Sequence, residues 1–269
     1  MSVIQPFDRD ALKEQYESAE PFPFLCIDNF LDPEFAKAVS ESYPTFDSAS
    51  GRGFSFDYVN ERKKVQVTDV AKFPDPVKTL HDAISGQSFL DELSYITGIS
   101  NLLSDSKLLG GGMHVTGPHG RLDVHVDFNY VQDRELHRRL NILIYLNPRW
   151  DNDWGGEVEL WDQDVRRCYQ SLRPVINRCV IFRTDESSFH GVTELRCPEG
   201  FERKSFAAYY YTKEPPAGWD GTKHTTIFRA RPDERWRGYV LMPAEKLKRQ
   251  LRQRADRVTH RVKRLVGMG

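Results

Sequence analysis

The sequence predicts an α+β protein: a jelly-roll β core, buttressed by helices that precede it and followed by a C-terminal amphipathic helix. Three observations carry this expectation. From about Lys107 to Lys213, short runs rich in Val, Ile, Leu and Tyr alternate with clusters of Gly, Pro and Asn, which is the texture of many short strands. Ahead of that stretch the apolar residues recur at helical spacing. Behind it, Lys and Arg crowd around an apolar repeat of helical period.

Taken in order, Arg9 to Ser18 reads as a polar helix and FPFLCIDNF (22–30) as an apolar strand. A helix opens in LDPEFAKAVSESYP (31–44), where Asp32 can cap the free N–H groups and Pro33 occupies a first-turn position that needs no N–H. SFDYVNERKKVQVTDV (55–70) is strand-like. In the segment 75–98, Val77, Leu80, Ile84, Phe89, Leu93 and Ile96 fall at roughly helical spacing, as expected of helices covering one face of a sheet. The β pieces are KLLGGGMHV, RLDVHVDF, RRLNILIYLN, GEVELWD, NRCVIFRT and KSFAAYYYT. Gly155 and Gly156 make the turn before GEVELWD. The segment 215–232 reads as an irregular excursion leaving the core. In 243–267, Leu247, Leu251, Ala255, Val258, Val262 and Leu265 line one side of a basic helix that suits docking on the chain itself, a homodimer contact or another surface. The resulting division is a support region over 1–106 belonging to the same domain, a β core over 107–213 and an extension over 214–269.

The bulk properties narrow the function. With 269 residues, 39% of them hydrophobic, the chain can bury a large core. A formal net charge of -1 gives no general reason to expect a nucleic-acid partner. No apolar run approaches the roughly 18–20 residues of a membrane span, and the opening MSVIQPFDRDALKEQ lacks a signal-peptide core, so a soluble, cytoplasmic protein is expected. Cys26, Cys168, Cys179 and Cys197 are scattered with no C-x-x-C pair, which points to neither a zinc site nor a disulfide framework.

Chemistry concentrates in RLDVHVDF. His125 and Asp127 are two apart on a strand, so both project to the same face, with Val126 to the other. One imidazole and one carboxylate facing a barrel interior are two-thirds of the two-His-one-carboxylate set that leaves metal positions open. The candidate for the third ligand is His190, in SSFHGV after the apolar strand CVIF; His119 and His224 are the alternatives. The same His-x-Asp pattern also occurs as a salt-bridged pair on an ordinary strand, and the surrounding order of motifs is what favours a metal.

That order is HVD, RRLNILIYLN, WGGEVELWD, NRCVIFRTDESSFHGV and ERKSFAAYYYT, over roughly 107–213. It resembles the 2-oxoglutarate and iron(II) oxygenase superfamily, in particular its prolyl-hydroxylase-like branch. The resemblance implies a double-stranded β-helix, cupin-like core, Fe(II) held by His125, Asp127 and His190, and 2-oxoglutarate and O2 as cosubstrates. It further implies a dioxygenase that hydroxylates a C–H bond of a peptidyl (prolyl-like) or small-molecule substrate and releases succinate and CO2. A basic residue gripping the far carboxylate of 2-oxoglutarate falls on Arg203, with Ser205 as a second contact. Strand alternation puts Arg203 with Ser205, Ala207 and Tyr209, and the competing Lys204 on the other face. Arg suits the task because its planar fork donates two parallel hydrogen bonds to a carboxylate. Asn141, sharing a face with Leu143 and Tyr145, is a further cosubstrate contact in this reading. His114, His119 and Arg121 in the segment before the metal strand are candidate substrate contacts at an entrance lip. Trp150, Trp154 and Trp161 read as packing, and Asp185 and Glu186 as loop residues. Two other classes stay open: a non-catalytic metal-binding β-barrel sensor, and an oxidative nucleic-acid demethylase, which only the basic tail favours.

Overall fold

The computed structural model describes residues 3–234 and 236, and the basic segment expected to form a C-terminal helix lies outside them. The elements are α1 (Arg9–Ser18), β1 (Phe24–Ile27), α2 (Pro33–Ser42), α3 (Phe46–Ser50), β2 (Phe54–Phe56), β3 (Glu61–Val67), α4 (Asp75–Ser85) and α5 (Gln87–Thr97). There follow β4 (Leu103–Ser104), β5 (Gly112–Val126), β6 (Tyr130–Val131), β7 (Leu136–Tyr145), β8 (Val158–Trp161) and β9 (Cys168–Leu172). The last are β10 (Cys179–Arg183), β11 (His190–Val192), β12 (Arg203–Thr212) and β13 (Ile227–Phe228).

Local chemistry sets the helix limits. Asp8 accepts from the N–H groups of Asp10 and Ala11 at the start of α1, and Asp32 accepts from Phe35 N–H at 3.0 Å at the start of α2. Gly98, with φ of 69°, ends α5 in the left-handed conformation that costs a glycine nothing.

The strands join in the order β1-β10-β7-β12-β5-β11-β8-β9, with every pairing antiparallel. The sheet curls on itself. Val158 and Leu160 of β8 pack with Tyr145 of β7 and Phe182 of β10, although three strands separate β8 from β7 along the path and four separate it from β10. The bend lies in β5, whose first half (112–116) pairs with β12 and whose second half (122–126) pairs with β11. The sequence pieces KLLGGGMHV and RLDVHVDF are therefore one long strand shared by the two walls of a half-barrel, the jelly-roll architecture.

Period-two alternation distributes side chains between two cores. Leu140, Ile142 and Ile144 of β7, Cys179 and Ile181 of β10, and Phe206, Ala208 and Tyr210 of β12 face the helices. There they pack with Val39, Val77, Leu80, Ile84, Leu90 and Leu93 in the main apolar core. Burying a leucine- or phenylalanine-sized side chain contributes about 1.5–3 kcal/mol, so this layer fixes the wall against the helices and leaves the opposite residues to face the barrel interior. Those opposite residues include Asn141, Tyr145, Phe182, Arg203, Ser205 and Tyr209. Three tryptophans are packing residues: Trp150 and Trp154 join Leu195 and Cys197, and Trp161 joins Val124 and Phe189.

Candidate active site

His125 near the end of β5 and His190 at the start of β11 are direct cross-strand partners, with ring centroids 4.3 Å apart. Asp127 follows two residues after His125 and returns to the same face. Its carboxylate oxygens lie 3.5 Å from Nε2 of His125 and 3.5 Å from Nε2 of His190. One ligand atom from each of the three falls within a 4.8 Å group. Among the described residues this is the group with metal-holding geometry. His119 instead pairs with Glu194, and His224 stands beside Glu186.

The two imidazoles are oriented by the backbone. Nδ1–H of His125 donates to the Asp123 carbonyl at 2.9 Å, and Nδ1–H of His190 to the Ser188 carbonyl at 3.0 Å. A carbonyl can only accept, so Nδ1 carries the proton in each ring and Nε2 presents its lone pair. Burial, with His125 beside it, pushes the His190 pKa down to about 4, keeping that ring neutral. For Asp127, burial would raise the pKa, but the charge of Arg138 and the two histidines outweigh it and hold the carboxyl well below its usual range. Two imidazole nitrogens and one ionised carboxylate, convergent and with open space beside them, fit a divalent iron of the facial-triad type.

The carboxylate is itself held. Its Oδ2 accepts from Asn141 Nδ2 at 2.8 Å and lies 3.0 Å from Arg138 Nη2, while Arg138 donates to Asn141 Oδ1 at 2.7 and 3.1 Å. Asn141 thus holds Asp127 through Nδ2 and Arg138 through Oδ1, and it also lines the cavity, where the sequence expects a cosubstrate contact. Arg138, stacked 3.5 Å from the Tyr209 ring centroid, is the residue that sequence reasoning misses. Alternation alone pairs Asn141 with Arg139. A bulge places Leu140 opposite Tyr210 but Arg138 opposite Tyr211, so Arg139 is the extra residue and Arg138 turns inward.

A cavity of about 300 Å³ extends from the triad, the lower end of the size range of small-molecule sites. Its other pole is Arg203, only 4% exposed. Nε donates to the Gly156 carbonyl at 2.7 Å, Nη2 to Tyr145 Oη at 3.2 Å, and Nη1 reaches Ser205 Oγ at 3.4 Å. Gly156, at φ of 76°, lies so close that an added Cβ would meet Arg203 Cδ at 3.3 Å. Lys204 turns away: its N–H donates to Asn147 Oδ1 and its ammonium stands 3.7 Å from Glu202. Tyr145, whose pKa burial pushes up to about 12 against the opposing charge of Arg203, keeps its proton and adds a hydroxyl at this pole.

Of the lip residues, His114 is buried in the cavity wall, where Nε2–H donates to the Gly110 carbonyl at 3.0 Å, and His119 is exposed. Arg121 borders the cavity but is engaged by two carboxylates, Asp123 and Glu234, at 2.6 Å each. Asp185 caps its own turn through Ser187 N–H and lies outside the triad.

Comparison with known proteins agrees with this geometry. Residues 111–211 match the family model of the 2OG-Fe(II) oxygenase superfamily. The chain is 37% identical over 84 residues to the mouse (Mus musculus) protein "Prolyl 3-hydroxylase OGFOD1", which covers 29% of this chain but 15% of that longer relative. In fold it is similar to a Trichoplax adhaerens prolyl hydroxylase solved with a hypoxia inducible factor peptide fragment, at a TM-score of 0.55 and 18% identity, covering 76% of this chain and 89% of that one. It is likewise similar to a Pseudomonas putida prolyl-4-hydroxylase, at 0.53 and 14%, covering 76% and 100%. The β core and the triad-like cluster within it agree with the match of residues 111–211 to the 2OG-Fe(II) oxygenase family model.

Proposed function

We propose that the chain is an Fe(II)- and 2-oxoglutarate-dependent dioxygenase, with His125, Asp127 and His190 as metal ligands, Arg203 as the anchor of the cosubstrate's distal carboxylate and Ser205 beside it. One observation carries the reading: a preoriented ligand set and a buried, forked cation face one another across a single cavity. Residues 107–213 form the catalytic core in this reading, and 1–106 support it within the same domain.

Bound iron and 2-oxoglutarate supply the oxidising chemistry, in which O2 and 2-oxoglutarate give succinate, CO2 and one oxygen atom for a substrate C–H bond. The protein's own work is orientation. The Asp123 and Ser188 carbonyls fix the two imidazoles, and Asn141 and Arg138 fix the Asp127 carboxylate. Arg203, with Ser205 and Tyr145, supplies three donors where a carboxylate would lie. The buried walls, including Phe182 and Tyr209, exclude water from the reacting space.

The substrate is a peptidyl, prolyl-like residue or a small molecule; the similar proteins named above are prolyl hydroxylases, one of them solved with a peptide. The described residues contain no helix long and apolar enough to cross a membrane. The test is succinate release by the purified, Fe(II)-loaded chain with 2-oxoglutarate and pools of prolyl peptides and metabolites. Substrate-stimulated succinate is expected. Metal binding without succinate under any pool would instead favour the non-catalytic sensor.

A further inference from the structure

The segment 215–232 does not leave the β core for good. It returns as β13, which pairs antiparallel with the end of β5, Ile227 opposite Val126 and Phe228 opposite His125. Arg229 N–H donates to the Val124 carbonyl at 2.8 Å and closes the ladder. At the level of His125, β5 therefore has His190 as its partner on one side and Phe228 on the other. Cross-strand partners project to the same face. The Phe228 ring accordingly lies 5.3 Å from the His125 ring and, with Thr226, forms part of the cavity wall. Among the described residues, Phe228 joins none of the buried apolar clusters, so its position answers to the cavity rather than to a core.

What holds β13 is a set of buried charges outside the metal site. Arg231 Nε donates to Glu159 Oε2 at 2.8 Å, and Nη2 reaches the carbonyls of Val192 at 3.2 Å and Leu122 at 3.4 Å, bridging β8, β11 and β5. Arg121 takes both carboxylate oxygens of Glu234, at 2.7 and 2.6 Å, while also pairing with Asp123. Removing such charges from water costs more than well-packed apolar residues would, and what they confer instead is a unique position. The fixed element is the one that carries Phe228.

We propose that Phe228 is a specificity-determining residue, its ring limiting how bulky a group can come up to the metal position beside His125, and that Arg231 is the positioning residue that sets it there. The proposal rests on the metal reading given above. A smaller side chain at 228 widens the approach and a larger one narrows it; loosening the Arg231 clamp acts in the same direction as the smaller side chain.

The experiment uses the full chain loaded with Co(II) and 2-oxoglutarate, followed by visible absorption while imidazole or 4-phenylimidazole is titrated in as metal ligand. The readout is the ratio of the two dissociation constants, which isolates the bulky ring from metal affinity. In Phe228→Ala the ratio should shift in favour of 4-phenylimidazole by roughly tenfold or more, the worth of burying part of an aromatic ring. Phe228→Trp should shift it the other way. Arg231→Ala should follow Phe228→Ala, with Arg231→Lys between it and wild type. Should Phe228→Ala fail to hold cobalt, Phe228→Leu carries the same test. An unchanged ratio in both the smaller and the larger variant overturns the proposal while leaving the metal reading intact. Failure of the wild-type chain to bind Co(II) overturns the metal reading and the proposal with it.

Discussion

Replacing Arg203 by alanine should weaken 2-oxoglutarate binding by about thirtyfold or more, because removing one partner of a buried charged pair costs roughly 2–5 kcal/mol and each 1.4 kcal/mol is a factor of ten. The structure places the effect toward the upper part of that range. Arg203 is buried, its fork is fixed by Gly156 and Tyr145, and no carboxylate of the protein is within hydrogen-bond reach of it in the described contacts. Arg203→Lys keeps the charge but loses the fork, so it should fall between alanine and wild type. Lys204→Ala removes an ammonium that stands 3.7 Å from Glu202 and does not line the cavity, and should change the affinity by about twofold or less. The assay is the KM for 2-oxoglutarate in succinate release, backed by titration of the cobalt-loaded protein. If Lys204→Ala is the more damaging, the face assignment of β12 is wrong at this pole. If neither change matters, β12 does not contact the cosubstrate at all.

Asn141→Ala should lower Fe(II) affinity by about 10- to 100-fold, the usual effect of losing a group that orients a metal-ligating carboxylate, and an unchanged affinity in competition with a chelator would show that Arg138 suffices to hold Asp127. Stability should fall at alkaline pH. Tyr145 and Tyr209, both raised by burial from 10 to about 12, bind the same number of protons folded and unfolded below pH 10, but above it the unfolded chain loses them first, so Tm should drop between about pH 10 and 12. Tyr145→Phe should flatten that drop, and an equal slope in the variant would refute the assignment.

The period-two alternation makes much of this legible from sequence. It puts His125 with Asp127, and Arg203 with Ser205 away from Lys204, and it puts Leu140, Ile142 and Ile144 toward the helices, because one buried face forces a single register. The helix starts at Asp8 and Asp32 follow from capping chemistry at single residues. What escapes is whatever depends on an irregularity or on distant partners. Arg138 turns inward only because Arg139 is bulged out, and the contacts of Asn141 with Arg138 and Asp127 depend on that turn. KLLGGGMHV and RLDVHVDF look like two strands because the Gly-Pro-His-Gly interruption marks a bend rather than an end. The return of 215–232 depends on Arg231 meeting Glu159 and Glu234 meeting Arg121, partners 72 and 113 residues away that no local pattern announces.

Metal stoichiometry reports whether His125, Asp127 and His190 together hold one iron. Each ligand should be changed singly to alanine, the proteins reconstituted anaerobically with Fe(II), desalted and analysed for iron, with the fold checked by circular dichroism. One iron per wild-type chain is expected, with most of it lost in all three variants and the fold retained. A variant that keeps a full iron equivalent would show that its residue is not a ligand, and full retention in all three would remove the metal centre from this cavity.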